Sequence, residues 1–331
     1  MTTPRTGTRV EVVDSIGTVD ANHVADLLTA TEEADGYPSI SERARLDVGP
    51  RSSASTSASA RALLLRGDRA HGAALAGYAV LEHVLEPGRG HGRGHWTLEM
   101  AVHPARRHPA GTSEGALLGA ALETVAAAGG GRITVWVRGN GAGPPAWIAA
   151  RGLEPARDLL QLRAPLPVEA GPRAQDRPLQ LRPFHPGRDE EAWLEVNRRA
   201  FAHHPEQGAW TLADLERREQ APWFDPGGFL IHEVDHRIAG FCWTKVHRTP
   251  VVGEIYVIAV DPDFQGRGLG RALTVAGLDH LATRGVPEAM LYVEGANVAA
   301  LTLYRSLGFA EHHRETAYEA EVAPRAGAGA G

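Results

Sequence analysis

Cysteine and lysine are almost absent from the 331 residues, which contain one of each, Cys242 and Lys245. A single cysteine excludes a disulfide within the chain and a zinc cluster built from cysteines. No stretch approaches the roughly 20 consecutive apolar residues that a membrane-spanning helix needs. The N-terminus also lacks the apolar core, about 7–15 residues long, that marks a secretory signal peptide. We therefore expect a cytoplasmic protein that has no membrane partner.

An excess of positive charge is also missing. The 34 basic residues against 40 acidic ones give a net charge of −6. A nucleic-acid-binding protein needs a basic face to meet the phosphates, so nucleic acid is not an expected partner. His91 and His95 lie in a glycine-rich stretch that would not hold their rings together. We expect a polar loop there and no metal site.

The sequence contains the same order of elements twice. Ala101–Pro104 ends an apolar run before an Ala/Leu-rich helical pattern, and Ala259–Pro262 does the same 158 residues later. The strands predicted at Ile133–Val137 and Ala289–Val293 are each followed by a helix, and they lie 156 residues apart. These halves predict two tandem copies of one mixed α/β unit, each with a mostly antiparallel sheet flanked by helices.

Composition sets the predicted boundaries of the two copies. An N-terminal domain spans residues 1–164 and a C-terminal domain spans 179–322, joined by a linker at 165–178 that is rich in proline, alanine and charge. The low-complexity tail at 323–331 is predicted to be disordered. The second domain reads β–α–α–β–β–β–α–β–α–β, which differs from the regular alternation of a Rossmann fold.

The segment Gln265–Leu273 (QGRGLGRAL) lies between an apolar strand and an amphipathic helix. Its glycines let the backbone approach a ligand closely, and the free N–H groups at the following helix start suit a pyrophosphate. Arg267 and Arg271 add positive charge. The spacing G-x-G-x-G is not the Rossmann fingerprint, and the Lys-Ser/Thr pair of a P-loop is absent. A purely structural strand-to-helix turn is the alternative interpretation.

Two signatures in this half resemble the GNAT acetyltransferase superfamily. Val260–Gly270 resembles its acetyl-CoA motif, and Asn297–Leu301 with Tyr304–Phe309 resembles its second signature. The resemblance implies acetyl-CoA as co-substrate and Tyr304 as the group that protonates the departing CoA thiolate. The CoA contacts that it implies are Ile258, Ala259, Val260, Gln265, Gly266, Arg267, Gly268, Leu269, Gly270, Arg271, Asn297, Val298, Ala299, Ala300, Leu301 and Thr302.

Three further segments resemble the mycothiol synthase family more closely. They are Phe201–Gly208 (FAHHPEQG), Trp223–Pro226 and Gly253–Tyr256. That family consists of tandem GNAT enzymes that acetylate the cysteinyl amine of a cysteinyl-glucosaminyl-inositol, the last step of mycothiol biosynthesis. The resemblance implies this small-molecule thiol sugar as the acceptor. The substrate contacts that it implies are Glu42, Glu206, Lys245, Glu254 and Tyr292.

The expected chemistry needs a carboxylate, because an amine is mostly protonated near neutral pH and must lose a proton before it attacks the thioester. Glu254 opens the strand that leads into the glycine turn. We expect it to bind the substrate and to act as the base, directly or through water. Each of these residues also has a purely structural interpretation. Glu254 would be an exposed glutamate at the start of a strand, Lys245 a solvated lysine at the end of a strand, and Tyr292 a half-buried core tyrosine. Cys242 is expected to be a small buried hydrophobe.

The first copy has lost the residues on which this chemistry depends. The offset of 158 residues places Ala110 opposite Gly268, and the offset of 156 residues places Ile148 opposite Tyr304. Isoleucine cannot donate a proton, so we expect a degenerate, non-catalytic first domain.

Two other functions stay open: a tandem GNAT enzyme for another small-molecule or peptide amine, and a non-catalytic acyl-CoA-binding regulator. We expect a monomer in either case.

Overall fold

The computed structural model of the protein describes residues 9–46, 60–67, 75–84, 95–139, 143–168, 179–202, 207–248 and 250–325. Several predictions lie wholly or partly outside these ranges: Glu206, His91, residues 169–178 of the predicted linker and residues 326–331 of the predicted tail. The chain forms two compact units. Unit 1 comprises Met1–Asp158 with Glu315–Gly331, and unit 2 comprises Leu159–Arg314.

The helices are α1 (Thr18–Asp35), α2 (Glu42–Leu46), α3 (Thr112–Ala127), α4 (Ala146–Ala149), α5 (Glu190–Ala200), α6 (Leu212–Glu219), α7 (Leu269–Thr283) and α8 (Val298–Ser306). The strands are β1 (Val10–Val13), β2 (Ala60–Arg66), β3 (Leu75–Val84), β4 (His95–Val102), β5 (Gly131–Arg138), β6 (Glu154–Pro165), β7 (Leu181–Pro183), β8 (Phe229–Val234), β9 (Arg237–Arg248), β10 (Val251–Val260), β11 (Glu288–Glu294) and β12 (Ala310–Val322).

Unit 1 contains a sheet in the order β1-β2-β3-β4-β5-β12. Neighbouring strands are antiparallel, except that β4 and β5 are parallel. Successive strand residues point to opposite faces, so Leu63 and Leu65 pack with α3 while Leu64 packs with α1.

Unit 2 repeats this plan in the order β6-β11-β10-β9-β8-β7, with β10 and β11 as the parallel pair. The alternation along β9 separates two cores. Cys242 packs with α7 and α8, whereas Phe241 and Trp243 pack with α5 and α6. We call these sides the α7 face and the α5 face of the sheet.

Each unit takes the last strand of the other repeat. Strand β6 ends the first repeat, yet Leu159–Pro165 pairs with β11 of unit 2. Strand β12 ends the second repeat, yet Glu315–Val322 pairs with β5 of unit 1. Neither repeat therefore completes its own sheet.

The predicted fold class is confirmed, and the elements predicted in the second repeat are present with ends that differ by a few residues. The turn predicted at Asp235-His236 joins β8 to β9, and both residues have positive φ, 51° and 62°. Strand β9 runs on to Arg248, so Lys245 is not its last residue. Among the described residues, no helix combines the length and the apolar character that crossing a membrane would need.

Glu219, the last residue of α6, gives a testable prediction about the stability of the fold. Burial, with the negative charges of Glu190 and Glu216, raises the pKa of Glu219 to about 7. Because the folded pKa lies above the unfolded value, the protein loses stability as the pH rises from about 4.5 to about 7. We expect Glu219→Gln to raise the free energy of unfolding at pH 8 by about 1 kcal/mol, after allowance for solvent screening.

Urea unfolding at pH 8 and at pH 5 tests this expectation. The gain should shrink at pH 5, where Glu219 is mostly protonated in the folded protein. Glu191→Gln, an exposed change on α5 whose charge is not among the causes of the Glu219 shift, is the control. Equal gains at both pH values would contradict the titration argument.

Candidate active site

The two parallel strands of unit 2 part halfway along their length. Pairing of β10 with β11 runs only from Gly253–Ala289 to Ile255–Leu291. Strand β10 stays paired with β9 as far as Val260, and β11 stays paired with β6 as far as Glu294. A bulge at Tyr256 re-aims β10 at the point where the strands separate. An opening therefore forms at the carboxyl ends of parallel strands, where open α/β sheets bind their ligands.

The turn after β10 is closed by its own polar side chains. Asp261 is buried, and its carboxylate accepts the N–H of Asp263 at 2.9 Å. The side-chain amide of Gln265 donates to the Val260 carbonyl at 3.2 Å. Gly266 and Gly268 have φ of 76° and 78°, which non-glycine residues rarely adopt. These contacts hold the start of α7 next to the opening.

The N-terminus of α7 is uncovered. A Cβ built on Gly266, Gly268 or Gly270 would meet no heavy atom within 4 Å. Gly268 is the N-cap and provides no side chain to bond the N–H groups of the first turn. Packing does not require glycine at 270. The open space and the unsatisfied N–H groups suit an anion such as a pyrophosphate.

The two arginines of the glycine turn are held differently. The Arg267 guanidinium lies 5.4 Å from the centre of the Phe264 ring. Arg271 donates from Nη1 to the Ser306 hydroxyl at 3.1 Å, which ties the first turn of α7 to the end of α8. Both can add positive potential near the uncovered helix start.

The second signature forms the N-terminus of α8. Asn297 is its N-cap, and the side-chain oxygen accepts the N–H of Ala300 at 3.0 Å. Leu301 is buried in the core on the α7 face, whereas Val298, Ala299 and Thr302 are exposed. The signature thus combines residues that build the helix with residues that present a surface.

Tyr304 follows one turn later and points into the α7-face core. It is buried, and its ring centre lies 5.9 Å from that of Phe309. Burial, with a smaller contribution from Cys242, raises the pKa of the Tyr304 hydroxyl, so it keeps its proton at neutral pH. Cys242 is fully buried as expected, and burial raises the pKa of its thiol to about 12. A Cβ on Gly277 of α7 would lie 2.4 Å from its sulfur, so α7 packs directly on the thiol.

Glu254 and Lys245 lie opposite each other on β10 and β9, on the α5 face. Both are buried, at 7% and 9% exposed, so the interpretations of an exposed glutamate and a solvated lysine are wrong. The Glu254 carboxylate oxygen Oε2 lies 2.7 Å from Nε2 of His247.

Aromatic rings enclose the Lys245 ammonium. Its nitrogen lies 4.4 Å from the centre of the Trp223 ring and 5.1 Å from that of Tyr256. Arg218 donates to the Tyr256 hydroxyl at 2.8 Å and lies 3.8 Å over the Trp210 ring. These rings attract cations and fix their positions.

Tyr292 completes this group on β11. Met290, two residues earlier on β11, pairs with Glu254, so Tyr292 lies on the same α5 face just beyond the point where the strands separate. It is half-buried, and its hydroxyl accepts a hydrogen bond from the Gln161 amide at 2.7 Å. Glu42 lies in unit 1, at the start of α2. Unit 2 therefore brings Lys245, Glu254 and Tyr292 to one face.

Unit 1 has the same separation of strands but a covered helix start. Pairing of β4 with β5 stops at Leu98–Val135, and a cavity of about 220 Å³ opens there. The N-cap of α3 is Gly111, with φ of 60°, so the predicted match of Ala110 to Gly268 is wrong. The loop before α3 is one residue longer than its counterpart before α7, which shifts the alignment.

Trp147 occupies the space that stays open in unit 2. A Cβ on Gly111 would lie 2.1 Å from Cδ1 of this indole. Arg107 is paired with Asp35 at 2.7 Å rather than presented to a ligand. Ile148, the counterpart of Tyr304, is fully buried.

Sequence reasoning did not single out His247, Tyr256 or Trp147. His247 follows Lys245 by two residues, a spacing that puts both side chains on one face of a strand. This spacing could have been used to predict that His247 lies beside Lys245 on the same face. The bulge at Tyr256 and the place of Trp147 depend on packing between distant segments. The described residues contain no group of three or more His, Cys, Asp or Glu side chains that could hold a metal ion.

Solved structures share this architecture. The tandem GNAT protein from the clavulanic acid biosynthesis pathway has a TM-score of 0.65 at 18% identity, covering 96% of this chain and 100% of that chain. The GCN5-related N-acetyltransferase from Sphaerobacter thermophilus has a TM-score of 0.61 at 23% identity, covering 98% of each chain. A model of the acetyltransferase (GNAT) family matches residues 190–309. The protein is an N-acetyltransferase with the tandem GNAT fold.

Proteins of similar sequence identify a narrower family within this class. The mycothiol acetyltransferase of Streptomyces griseus subsp. griseus is 42% identical over 324 residues, which are 96% of this chain and 97% of the relative. That of Thermobispora bispora is 43% identical over 310 residues, or 91% and 95%. The chain belongs to the mycothiol acetyltransferase family.

Proposed function

We propose that the protein transfers the acetyl group of acetyl-CoA to the cysteinyl amine of 1D-myo-inositol 2-(L-cysteinylamino)-2-deoxy-α-D-glucopyranoside, the last step of mycothiol biosynthesis. The observation that carries the proposal is the buried Glu254 carboxylate on the strand that borders the opening. Membership of the mycothiol acetyltransferase family supports this acceptor. A monomeric, cytoplasmic enzyme is part of the proposal.

Acetyl-CoA is proposed to bind along the opening between β10 and β11. The main chain of Ile258–Val260 is paired with β9 along one edge and is no longer paired with β11 along the other. The unpaired edge can hydrogen-bond the pantetheine amides. The first turn of α7, with Arg267 and Arg271, would hold the pyrophosphate. The exposed Val298, Ala299 and Thr302 would border the same ligand.

The acceptor is proposed to bind on the α5 face. Its ammonium and hydroxyl groups are hydrogen-bond donors, which suit the carboxylates of Glu254 and Glu206. Lys245 and Tyr292 present polar groups on the same face as Glu254. Contact of the acceptor with Glu42 stays a prediction that rests on the family resemblance alone.

In the proposed reaction, Glu254 takes a proton from the ammonium, and the neutral amine attacks the thioester carbon. The C–N bond forms as the C–S bond breaks, and Tyr304 gives its proton to the departing sulfur. The second proton leaves the new amide nitrogen and, through water, restores the Tyr304 hydroxyl. Glu254 lies on the α5 face and Tyr304 in the core on the α7 face. The proposal is that one reacting group in the opening between β10 and β11 meets the base from one face and the acid from the other.

Mass spectrometry of the product tests the function directly. The protein is mixed with acetyl-CoA and cysteinyl-glucosaminyl-inositol, and a gain of one acetyl group on the amine is expected. Mass detection avoids the thiol of the acceptor, which would react with a thiol dye. Transfer to unrelated amines at equal rates would favour another acceptor, and acetyl-CoA binding without turnover would favour a regulator.

The role of Tyr304 gives a separate prediction. Tyr304→Phe should lower kcat about 10- to 100-fold, near the low end of general acid catalysis, because a thiolate is already a fair leaving group. The KM values should change little, since phenylalanine keeps the buried ring. Steady-state kinetics with both substrates measures the effect, and Tyr292→Phe is the comparison because it should mainly raise the acceptor KM. Full turnover by Tyr304→Phe would remove the acid role.

A further inference from the structure

The imidazole of His247 is hydrogen-bonded to the Glu254 carboxylate. Its Nε2 lies 2.7 Å from Oε2 of Glu254. The two residues sit diagonally across the β9–β10 ladder, where His247 pairs with Val252 and Lys245 pairs with Glu254. Both side chains therefore lie on the α5 face.

The two partners differ in how much of each side chain is exposed to solvent. The Glu254 side chain is 9% exposed and the His247 side chain is 27% exposed. A buried carboxylate needs hydrogen-bond donors to remain charged, and a half-buried imidazole at its edge can supply one without closing the site.

The chemistry of the pair defines which nitrogen carries the proton. A carboxylate that acts as a base only accepts hydrogen bonds, so in the proposed reaction the 2.7 Å contact is a bond from a proton on Nε2. The imidazole therefore donates to Oε2 and leaves Oε1 to meet a second group.

We propose that His247 is a positioning residue for the acetyl transfer: its Nε2–H holds one oxygen of Glu254 so that the other faces the acceptor amine. This inference rests on the proposed role of Glu254. The proton from the ammonium passes to Oε1, the Nε2–H bond to Oε2 is retained, and no proton leaves the imidazole in this step. His247 itself touches neither substrate.

Two substitutions of His247 distinguish a hydrogen-bonding role from simple filling of space. Glutamine can place an N–H near the position of Nε2, whereas leucine fills similar space with no donor. We expect His247→Leu to lower kcat about tenfold with the KM for acetyl-CoA unchanged, and His247→Gln to restore most of the loss. Thermal unfolding of both variants serves as the folding control. Equal losses in the two variants, or full activity in His247→Leu, would overturn the proposal.

A spectroscopic test does not depend on the acceptor. Long-range ¹H–¹⁵N correlation spectra of the full chain should show the His247 ring protonated at Nε2 at pH 8. Glu254→Leu removes the acceptor of this bond and should shift the Nε2 resonance. A ring protonated only at Nδ1 would overturn the positioning role, even if the protein acetylates a different amine. A correct tautomer without product would instead count against the proposed function.

Discussion

Glu254→Gln is expected to lower kcat for acetylation by about 10²- to 10³-fold, the usual contribution of a positioned general base. Glutamine keeps the volume and shape of the buried side chain, so the fold should survive, but it cannot accept a proton from the ammonium. The KM for acetyl-CoA should stay the same, because Glu254 lies on the α5 face and the proposed CoA contacts follow the opening and the start of α7. Steady-state kinetics over a range of both substrates measures the effect.

Glu311→Gln is the matched control for this change. Glu311 forms an i,i+3 pair with Arg314 at 3.1 Å, and its side chain is 36% exposed. Exposed pairs of this kind contribute little, so kcat should be unaffected. If Glu254→Gln raises only the acceptor KM and keeps kcat, the carboxylate binds the ammonium without taking its proton.

The two expected proton transfers place different demands on their residues. A base must present a free oxygen to the proton that it accepts, and the contact with His247 at one oxygen leaves the other oxygen of Glu254 for this role. An acid must be protonated, and burial of Tyr304 raises its pKa and keeps it so. The sheet separates these environments, and we propose that both groups reach a single thioester where β10 and β11 part beyond Ile255.

Local sequence was enough to predict part of this site. The turn at Gln265–Leu273 and the helix after it are set by neighbouring residues, because glycine conformation and helix N-termini are local properties. The fold class followed in the same way from the order of elements. The residue roles proposed for Glu254 and Tyr304 stay predictions, as does Glu206, which lies outside the described residues.

Other features depend on partners far apart in the chain. The contact of His247 with Glu254 follows from the cross-strand register, and the exchange of β6 and β12 follows from pairings that no local pattern encodes. The mismatch of Ala110 with Gly268 arose because the fixed offset of 158 used in this loop cannot show a one-residue difference in loop length. Gly111 shows that unit 1 kept a glycine N-cap. The difference that matters there is Trp147, which covers this glycine.

Gly270→Asp in unit 2 should raise the KM for acetyl-CoA about 100-fold, because a carboxylate at the proposed pyrophosphate site costs roughly 3 kcal/mol of binding free energy. The fold should tolerate the change. A Cβ on Gly270 meets nothing within 4 Å, and an acidic residue in the first turn of a helix is stabilising. The KM for the acceptor should change little.

Ser113→Asp in unit 1 is the matched control, since Ser113 and Gly270 occupy the same position relative to the N-caps Gly111 and Gly268. It should leave acetyl-CoA binding unchanged, because the Trp147 indole already covers the start of α3. Calorimetric titration should accordingly find one acetyl-CoA per chain, and Gly270→Asp should weaken that one site. Two sites per chain, one of them lost in Ser113→Asp, would show that the indole moves aside for a phosphate. An unchanged KM in Gly270→Asp would instead remove the pyrophosphate from the start of α7.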